Sequence, residues 1–148
     1  MKRFQYSLQR VMDYRAMQEE QRRMELFRAQ QRLYRAQREL EELEEEYRRV
    51  LLGINKPDGQ ALTAHFLRQR EKYLEYQGSR IEAQQEKVAE ARQDVQACLN
   101  RVQEAQAELK KLDRHREKRL AEWEQERRKN DVAKMDEFNM NTLSRPSE

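Results

Sequence analysis

Residues 81–112 read IEAQQEKVAEARQDVQACLNRVQEAQAELKKL, and this stretch decides the fold. An aliphatic residue recurs every seven positions, at Ile81, Val88, Val95, Val102 and Leu109. A second apolar series follows three residues later, at Ala91, Cys98, Ala105 and Leu112. Almost all of the residues between them are polar or charged. Apolar residues at the a and d positions of successive heptads predict a long helix with one narrow apolar seam, which another helix must cover.

The covering helix lies earlier in the same chain. Its best heptad frame has apolar core positions from Leu26 to Val50 and polar ones between Arg15 and Arg22. The a positions are Met12, Glu19, Leu26, Leu33, Leu40, Tyr47 and Ile54, and the d positions are Leu8, Arg15, Arg22, Ala29, Ala36, Leu43 and Val50. We predict an all-α fold, a long two-helix antiparallel coiled-coil hairpin with an elaborated tip that contains a short helix. Parallel pairing of two chains is the alternative.

The composition supports a coiled coil rather than a globule. Charged residues make up 40% of the chain and hydrophobic ones 36%, against roughly 25% and 45–50% in ordinary domains. Three glycines and two prolines allow few turns. Such a composition also fits disorder, but the sustained heptads oppose it. The net charge of +3 is the balance of 31 basic and 28 acidic residues, so it says little about nucleic acid.

One segment breaks the helical pattern, GINKPDGQ at residues 53–60. Gly53 can end a helix, and Pro57 cannot continue one. We therefore predict a first helix over residues 7–52, beginning near Ser7, and a tip over residues 53–80. The tip contains a short helix over 61–77, and Gly78-Ser79 separates it from a second helix over 79–138. Residues 1–138 then form a single coiled-coil domain, and 139–148 a flexible tail.

The register of the pair is predicted from side-chain size. Setting Leu33 against Ala105 places large residues opposite small ones in most layers, as close packing prefers. The same register sets Leu26 against Leu112, Ala36 against Val102, Leu40 against Cys98, Glu19 against Arg119, and Arg15 against Trp123. A shift of one heptad would bury Arg22 and Glu19 against leucines, at a cost of several kcal/mol for unpaired charges.

Motifs of catalysis and metal binding are missing from the sequence. No Walker, GxGxxG, CxxC, HExxH or GxSxG pattern occurs, and His65 and His115 are far apart, each simplest as a surface residue. Cys98 is simplest as a small residue in the seam, and the glutamates within Glu39–Glu46 as an exposed helix face. There is no apolar segment of signal-peptide or membrane-spanning character. We predict a cytoplasmic protein that is not an enzyme and needs no cofactor or metal.

Basic residues are concentrated where both termini meet in the predicted hairpin. Residues 1–38 hold ten basic and four acidic side chains, and further basic residues fall at 110–119 and 127–129. A basic surface can steer association towards an acidic ring, channel or nucleic acid, although a solvated helix face explains it equally well. At the other end, apolar side chains either cap the coiled coil or form a docking surface. They are Tyr47, Leu51, Leu52, Ile54, Phe66, Tyr73 and Tyr76.

The N-terminal segment FQYSLQRVMDYRAMQEE, residues 4–20, resembles the start of the FliJ family of flagellar export proteins. The matching residues are Phe4, Tyr6, Leu8, Gln9, Val11, Asp13, Tyr14 and Arg15. The break after residue 50, the ALTAHFLRQREKYL stretch at 61–74 and the long charged second helix also resemble that family.

The resemblance implies a stalk that inserts the end bearing both termini into the hexameric flagellar export ATPase. It also implies contacts with the cytoplasmic domain of the export gate and with export chaperones, at the inner face of the cell membrane. We expect a monomer in isolation, no nucleic-acid partner and no direct membrane insertion. The predicted ATPase-ring contacts are Arg10, Arg15, Arg22, Arg23, Arg116, Arg119, Arg127 and Arg128. The nearest matches to the family's gate contacts are Leu40, Leu43, Tyr47, Phe66 and Tyr73.

Three alternatives remain open from sequence. The first is the corresponding stalk of a virulence type III injectisome, although the N-terminal segment favours the flagellar system. The second is a nucleic-acid-binding coiled coil, which the interspersed acidic residues oppose. The third is membrane-surface binding by the N-terminal helix, for which MKRFQYSLQRVM offers only a weak amphipathic pattern.

Overall fold

A computed structural model describes residues 2–53 and 63–144 of the chain. Two helices make up its regular secondary structure, α1 over Gln9–Leu51 and α2 over Ala64–Ser144. They pack against each other, and no strand occurs in the described ranges. The prediction of an all-α helical hairpin is confirmed.

Backbone caps explain where the helices end. The N–H of Gly53 donates to Val50 O at 3.1 Å, and Gly53 has a positive φ of 72°. Glycine adopts this left-handed conformation without steric cost, so it ends α1 as predicted. Thr63 caps the start of α2, since its Oγ1 accepts the Phe66 N–H at 3.2 Å. Residues 54–62 of the predicted tip lie outside the described residues, and the part of the tip from Ala64 onward belongs to α2.

The chain divides into two compact units. The first unit is Met1–Glu20 with Glu104–Glu148, and the second is Gln21–Gln103. Each unit therefore contains a part of both helices. That the chain forms one domain stays a prediction, and the two units are described separately below.

The predicted heptad frame matches the buried face of each helix. On α1, every a and d position from Met12 to Val50 is buried or half-buried. On α2, the same holds for the seam from Ile81 to Leu112, including Cys98 as a buried free thiol. The sustained apolar repeat thus selects the packed face.

The second unit shows that the predicted register is wrong. The Gln84 side-chain amide donates to Ala36 O at 3.0 Å, whereas the prediction sets Ala36 against Val102, about five helical turns farther along α2. Near the end of α1, Arg70 Nε donates to Val50 O at 3.2 Å, whereas the predicted register, continued to this end of α1, sets Val50 against Val88.

The first unit contradicts the predicted pairs as well. Trp123 contacts the Phe4 ring at a centroid distance of 5.9 Å rather than Arg15. The carboxylate of Glu19 accepts the Gln106 amide at 3.4 Å rather than pairing with Arg119.

The reason for this error is that a shift by whole heptads preserves the a-to-d pattern. A shifted register was excluded because it would bury Glu19 and Arg22 without partners. In the structure, both side chains have partners. Glu19 is buried but accepts a hydrogen bond from Gln106. Arg22 keeps a partly exposed side chain and forms an ion pair with Glu25 at 3.1 Å. Long side chains reach polar partners from a seam position without burying a bare charge.

The helix α2 is continuous, so the predicted break at Gly78-Ser79 is wrong. A glycine inside a helix costs about 1 kcal/mol relative to alanine, which burial of the neighbouring apolar Ile81 side chain in the seam can offset. Ser79 Oγ donates back to Glu75 O at 3.2 Å rather than capping a new helix. The helix also extends to Ser144, so residues 139–144 of the predicted tail are helical.

Candidate interaction surfaces

Six of the eight predicted ATPase-ring residues lie in the first unit. They are Arg10 and Arg15 on α1 and Arg116, Arg119, Arg127 and Arg128 on α2. The side chains of Arg10, Arg127 and Arg128 are exposed, whereas Arg15 is half-buried and donates to Gln18 at 3.0 Å. The other two residues, Arg22 and Arg23, belong to the second unit.

Several of these arginines stack on aromatic rings or pair with acids. The guanidinium of Arg116 lies 6.0 Å from the Phe4 ring centroid, and that of Arg127 lies 5.7 Å from the Trp123 centroid. Arg119 pairs with Glu122 at 3.4 Å. Such contacts orient the charged groups; an exposed cation–π contact contributes about 0.5–1 kcal/mol and an exposed ion pair about 0–1 kcal/mol. The N-terminal segment and α2 thus present an ordered basic-aromatic surface in the first unit.

All five predicted gate residues lie in the second unit. Leu40, Leu43 and Tyr47 are half-buried on the α1 seam, which confirms their share in the core. Phe66 is half-buried and Tyr73 is 37% exposed. Their availability to a partner therefore differs, and Tyr73 is the most accessible of the set.

A groove of about 510 Å³ in the second unit brings together two of the predicted gate residues, Leu43 and Tyr73. Tyr73 Oη donates to Glu46 at 3.4 Å across this groove. Burial, and then the charge of Glu46, raises the pKa of Tyr73 above 10.0. The groove is also lined by Glu39, Glu42, Glu46, Gln77, Arg80, Ala83, Gln84 and Lys87.

Comparison with known protein families shows which family the chain belongs to. Residues 4–148 match the family model of the flagellar FliJ protein. The chain belongs to the FliJ family. Comparisons with curated proteins and with solved structures give no significant match. FliJ-family proteins are non-catalytic components of flagellar export, so this chain has a role related to flagellar export.

The sequence prediction missed three polar residues on the packed face of α2, in the second unit of this FliJ-family hairpin. Gln77 and Gln84 are buried, and Arg70 donates to the last carbonyls of α1, Val50 O and Leu51 O. Gln77 and Gln84 continue the d series of Ala91 towards the N-terminus at seven-residue spacing, and Arg70 continues it once more. That spacing is the signal that could have found them, because buried polar core positions fix register in coiled coils.

In the first unit, the prediction missed the role of His115. It was expected to be a surface residue, but it is half-buried and its Nδ1 lies 2.5 Å from Tyr6 Oη. The two rings also contact each other at a centroid distance of 5.6 Å. Tyr6 belongs to the N-terminal segment that resembles the family, so this segment packs on α2 rather than only leading into α1.

The C-terminal part of α2 in this FliJ-family chain carries exposed apolar side chains. Val132, Met135, Phe138, Met140 and Leu143 are each at least 58% exposed. From Glu124 to Leu143, every residue except Asp131 is exposed. Apolar residues exposed on a single helix mark a candidate docking surface.

The described ranges contain neither a metal-ligand cluster nor a membrane-spanning helix. Residues 2–53 and 63–144 contain no group of three or more histidine, cysteine or acidic side chains placed to hold a metal ion. Over the same ranges, neither helix has a stretch apolar and long enough to cross a membrane.

Proposed function

We propose that this chain is a non-enzymatic stalk and adaptor of the flagellar type III export apparatus. It binds and stimulates the hexameric export ATPase and links that ring to the export gate and to export chaperones. Membership of the FliJ family over nearly the whole chain is the observation that carries the proposal. The exposed basic surface of the first unit supports it, since charged surfaces steer association and fix orientation.

The proposed stimulation works by shape and charge rather than by chemistry. A helical pair with exposed arginines, such as Arg10 and Arg128, binds one arrangement of ring subunits more tightly than the others. That differential affinity shifts the population towards catalytically competent interfaces. The exposed apolar residues at the end of α2 supply further contacts for the same ring.

The second unit is proposed to contact the export gate through the groove that Leu43 and Tyr73 line. Tyr73 would contribute an aromatic anchor, the residue type enriched at interfaces. Through the ring and the gate the protein would be held at the inner face of the membrane. Substituting Tyr73 by alanine should weaken gate binding without changing ATPase stimulation.

The ring proposal is tested by reversing charges that make no core contact. We expect Arg10→Glu with Arg128→Glu to reduce stimulation of the purified flagellar export ATPase at least tenfold, since like-charge contacts at an interface oppose binding and about 1.4 kcal/mol already corresponds to a factor of ten. The matched control is Arg92→Glu with Arg101→Glu, which are exposed on α2 in the second unit and change the net charge equally. Circular dichroism checks that both variants keep their helix content.

Two results would contradict the proposal: full stimulation by the first variant, or equal loss in the control. The nucleic-acid alternative is tested with the same proteins by a mobility shift titrated with salt. Phosphate binding predicts a steep loss of affinity with salt, and the proposed stalk function predicts no shift.

A further inference from the structure

The outer face of α1 in the second unit carries large apolar side chains that no core packing explains. Met24, Phe27 and Tyr34 are 53%, 60% and 55% exposed. They occupy heptad positions f and b, on the opposite side of the helix from the a and d seam. Apolar side chains exposed along one face of a helix mark a candidate interaction site.

These side chains follow the spacing of a second coiled-coil seam. Met24, Phe27, Gln31, Tyr34 and Arg38 are separated alternately by three and four residues. A single further helix packs on such a stripe by inserting its own side chains between them. Arg38 holds the Tyr34 ring in place, since its guanidinium lies 5.9 Å from the ring centroid and donates to Oη at 3.3 Å.

The charged residues beside this second seam are basic. Residues 26–38 contain four arginines and no acidic residue. Arg28 and Arg35 are exposed and lie at the positions that flank the seam. In coiled coils these flanking positions select the partner through opposite charges.

We propose that this outer face of α1 binds an acidic amphipathic helix of a partner protein. The partner's apolar stripe packs on Met24, Phe27 and Tyr34, and its flanking glutamates or aspartates pair with Arg28 and Arg35. From Met24 to Arg38 the face is about 21 Å long, which matches about four turns of partner helix. This surface shares no residue with the proposed ring and gate contacts, so the inference goes beyond the proposed function.

A nucleic acid fits the same face less well. Arginines and aromatic rings can bind phosphates and bases, but Glu25 precedes this basic stretch and the glutamates of Glu39–Glu46 follow it. A phosphate backbone that extended past either end would be repelled. The three-and-four spacing is, in addition, a property that a helix matches and a nucleic acid does not.

The test uses two labelled helical peptides and the full-length chain. Both peptides have about three heptads with leucine at a and d, and they differ only in carrying glutamate or lysine at e and g. We expect fluorescence anisotropy to show that the glutamate peptide binds with a Kd of about 10 μM, and that the lysine peptide binds at least about a hundredfold more weakly.

Variants then locate the site. Phe27→Ala with Tyr34→Ala should weaken binding of the glutamate peptide about tenfold, while Tyr14→Ala, an equally exposed aromatic of the first unit, should leave it unchanged. Arg28→Glu with Arg35→Glu should reverse the preference in favour of the lysine peptide. Circular dichroism confirms that each variant is folded.

The proposal is overturned if the glutamate peptide shows no binding up to about 1 mM, if both peptides bind equally, or if charge reversal leaves the preference unchanged. It is also overturned if a single-stranded RNA oligonucleotide binds and Phe27→Ala with Tyr34→Ala removes that binding instead. Stimulation of the export ATPase by these variants is a separate readout, so failure here and failure of the proposed function are distinguishable.

Discussion

Tyr6 shows how one side chain ties the N-terminal segment to α2. It is buried, and its hydroxyl lies 2.5 Å from His115 Nδ1 and 3.4 Å from Leu112 O. The hydroxyl has one proton, so it either donates to the ring nitrogen or accepts the Nδ1–H of His115 and donates to the carbonyl. In both arrangements the phenol hydroxyl forms a hydrogen bond with a partly buried polar group. Removal of the hydroxyl would leave that group without this partner.

Tyr6→Phe should therefore lower the free energy of unfolding by about 1 kcal/mol, the usual net contribution of such a hydrogen bond. Tyr14→Phe is the matched control. Its hydroxyl accepts an exposed hydrogen bond from Gln18 at 3.2 Å, so its loss should cost less than about 0.5 kcal/mol. Urea unfolding of the two variants measures both values, and equal destabilisation would contradict the assigned role of Tyr6.

Tyr73 gives a prediction for pH. Burial and Glu46 raise its pKa above the unfolded value of 10.0, so the folded chain holds the phenol proton more tightly. The stabilisation from this phenol is complete below pH 10.0 and is lost as pH rises through the folded pKa. We expect Glu46→Gln to lower the pKa of Tyr73, and ultraviolet difference titration against Tyr73→Phe measures the change. An unchanged pKa in Glu46→Gln would contradict the effect of the carboxylate.

On the scale of the element, the C-terminus of α1 is closed by its own glycine and by a side chain from α2. Gly53 adopts the left-handed conformation at the end of the helix, and Arg70 donates to Val50 O and Leu51 O. A cation at this end also interacts favourably with the helix dipole. Arg70 therefore anchors α2 at a fixed point of α1 and helps to set the register.

Arg70→Met should destabilise the chain by about 1 kcal/mol, because the carbonyls at the end of α1 lose a charged donor. Arg68→Met is the control, since Arg68 is exposed and donates to Ala64 O on its own helix. Thermal unfolding followed by circular dichroism compares the two variants. Equal melting temperatures would show that Arg70 does not stabilise the end of α1.

The buried face of each helix was predictable from sequence, but the register was not. The period of seven fixes which residues face the partner, and a shift by whole heptads leaves that period unchanged. Specific polar bonds, such as Gln84 to Ala36 O and Gln106 to Glu19, distinguish the registers. Which polar groups meet in these bonds depends on the three-dimensional packing and does not follow from the heptad period. For the same reason the sequence indicated the basic surface of the first unit but not the stacking of Arg116 on Phe4.

On the scale of the whole molecule, stability and the proposed function should reside in different parts of α2. Residues from Val88 to Val102 contain buried seam positions, whereas Glu124–Leu143 are almost entirely exposed. A helix segment of this length without packing is marginally stable alone. Hydrogen exchange should therefore be slow around Val88 and Val102 and fast beyond Glu124.

Ending the chain after Lys129 tests this separation. The removed part of α2 includes Val132, Met135 and Phe138, which are 58%, 67% and 70% exposed, so the free energy of unfolding should change by less than about 0.5 kcal/mol. Stimulation of the export ATPase should nevertheless fall strongly, because the same apolar residues are proposed to contact the ring. Tyr6→Phe supplies the opposite control, with lower stability but full stimulation at temperatures where it stays folded. A truncated chain that unfolds more easily, or that still stimulates the ring fully, would refute the separation, because the end of α2 would then either stabilise the fold or make no contribution to the ring.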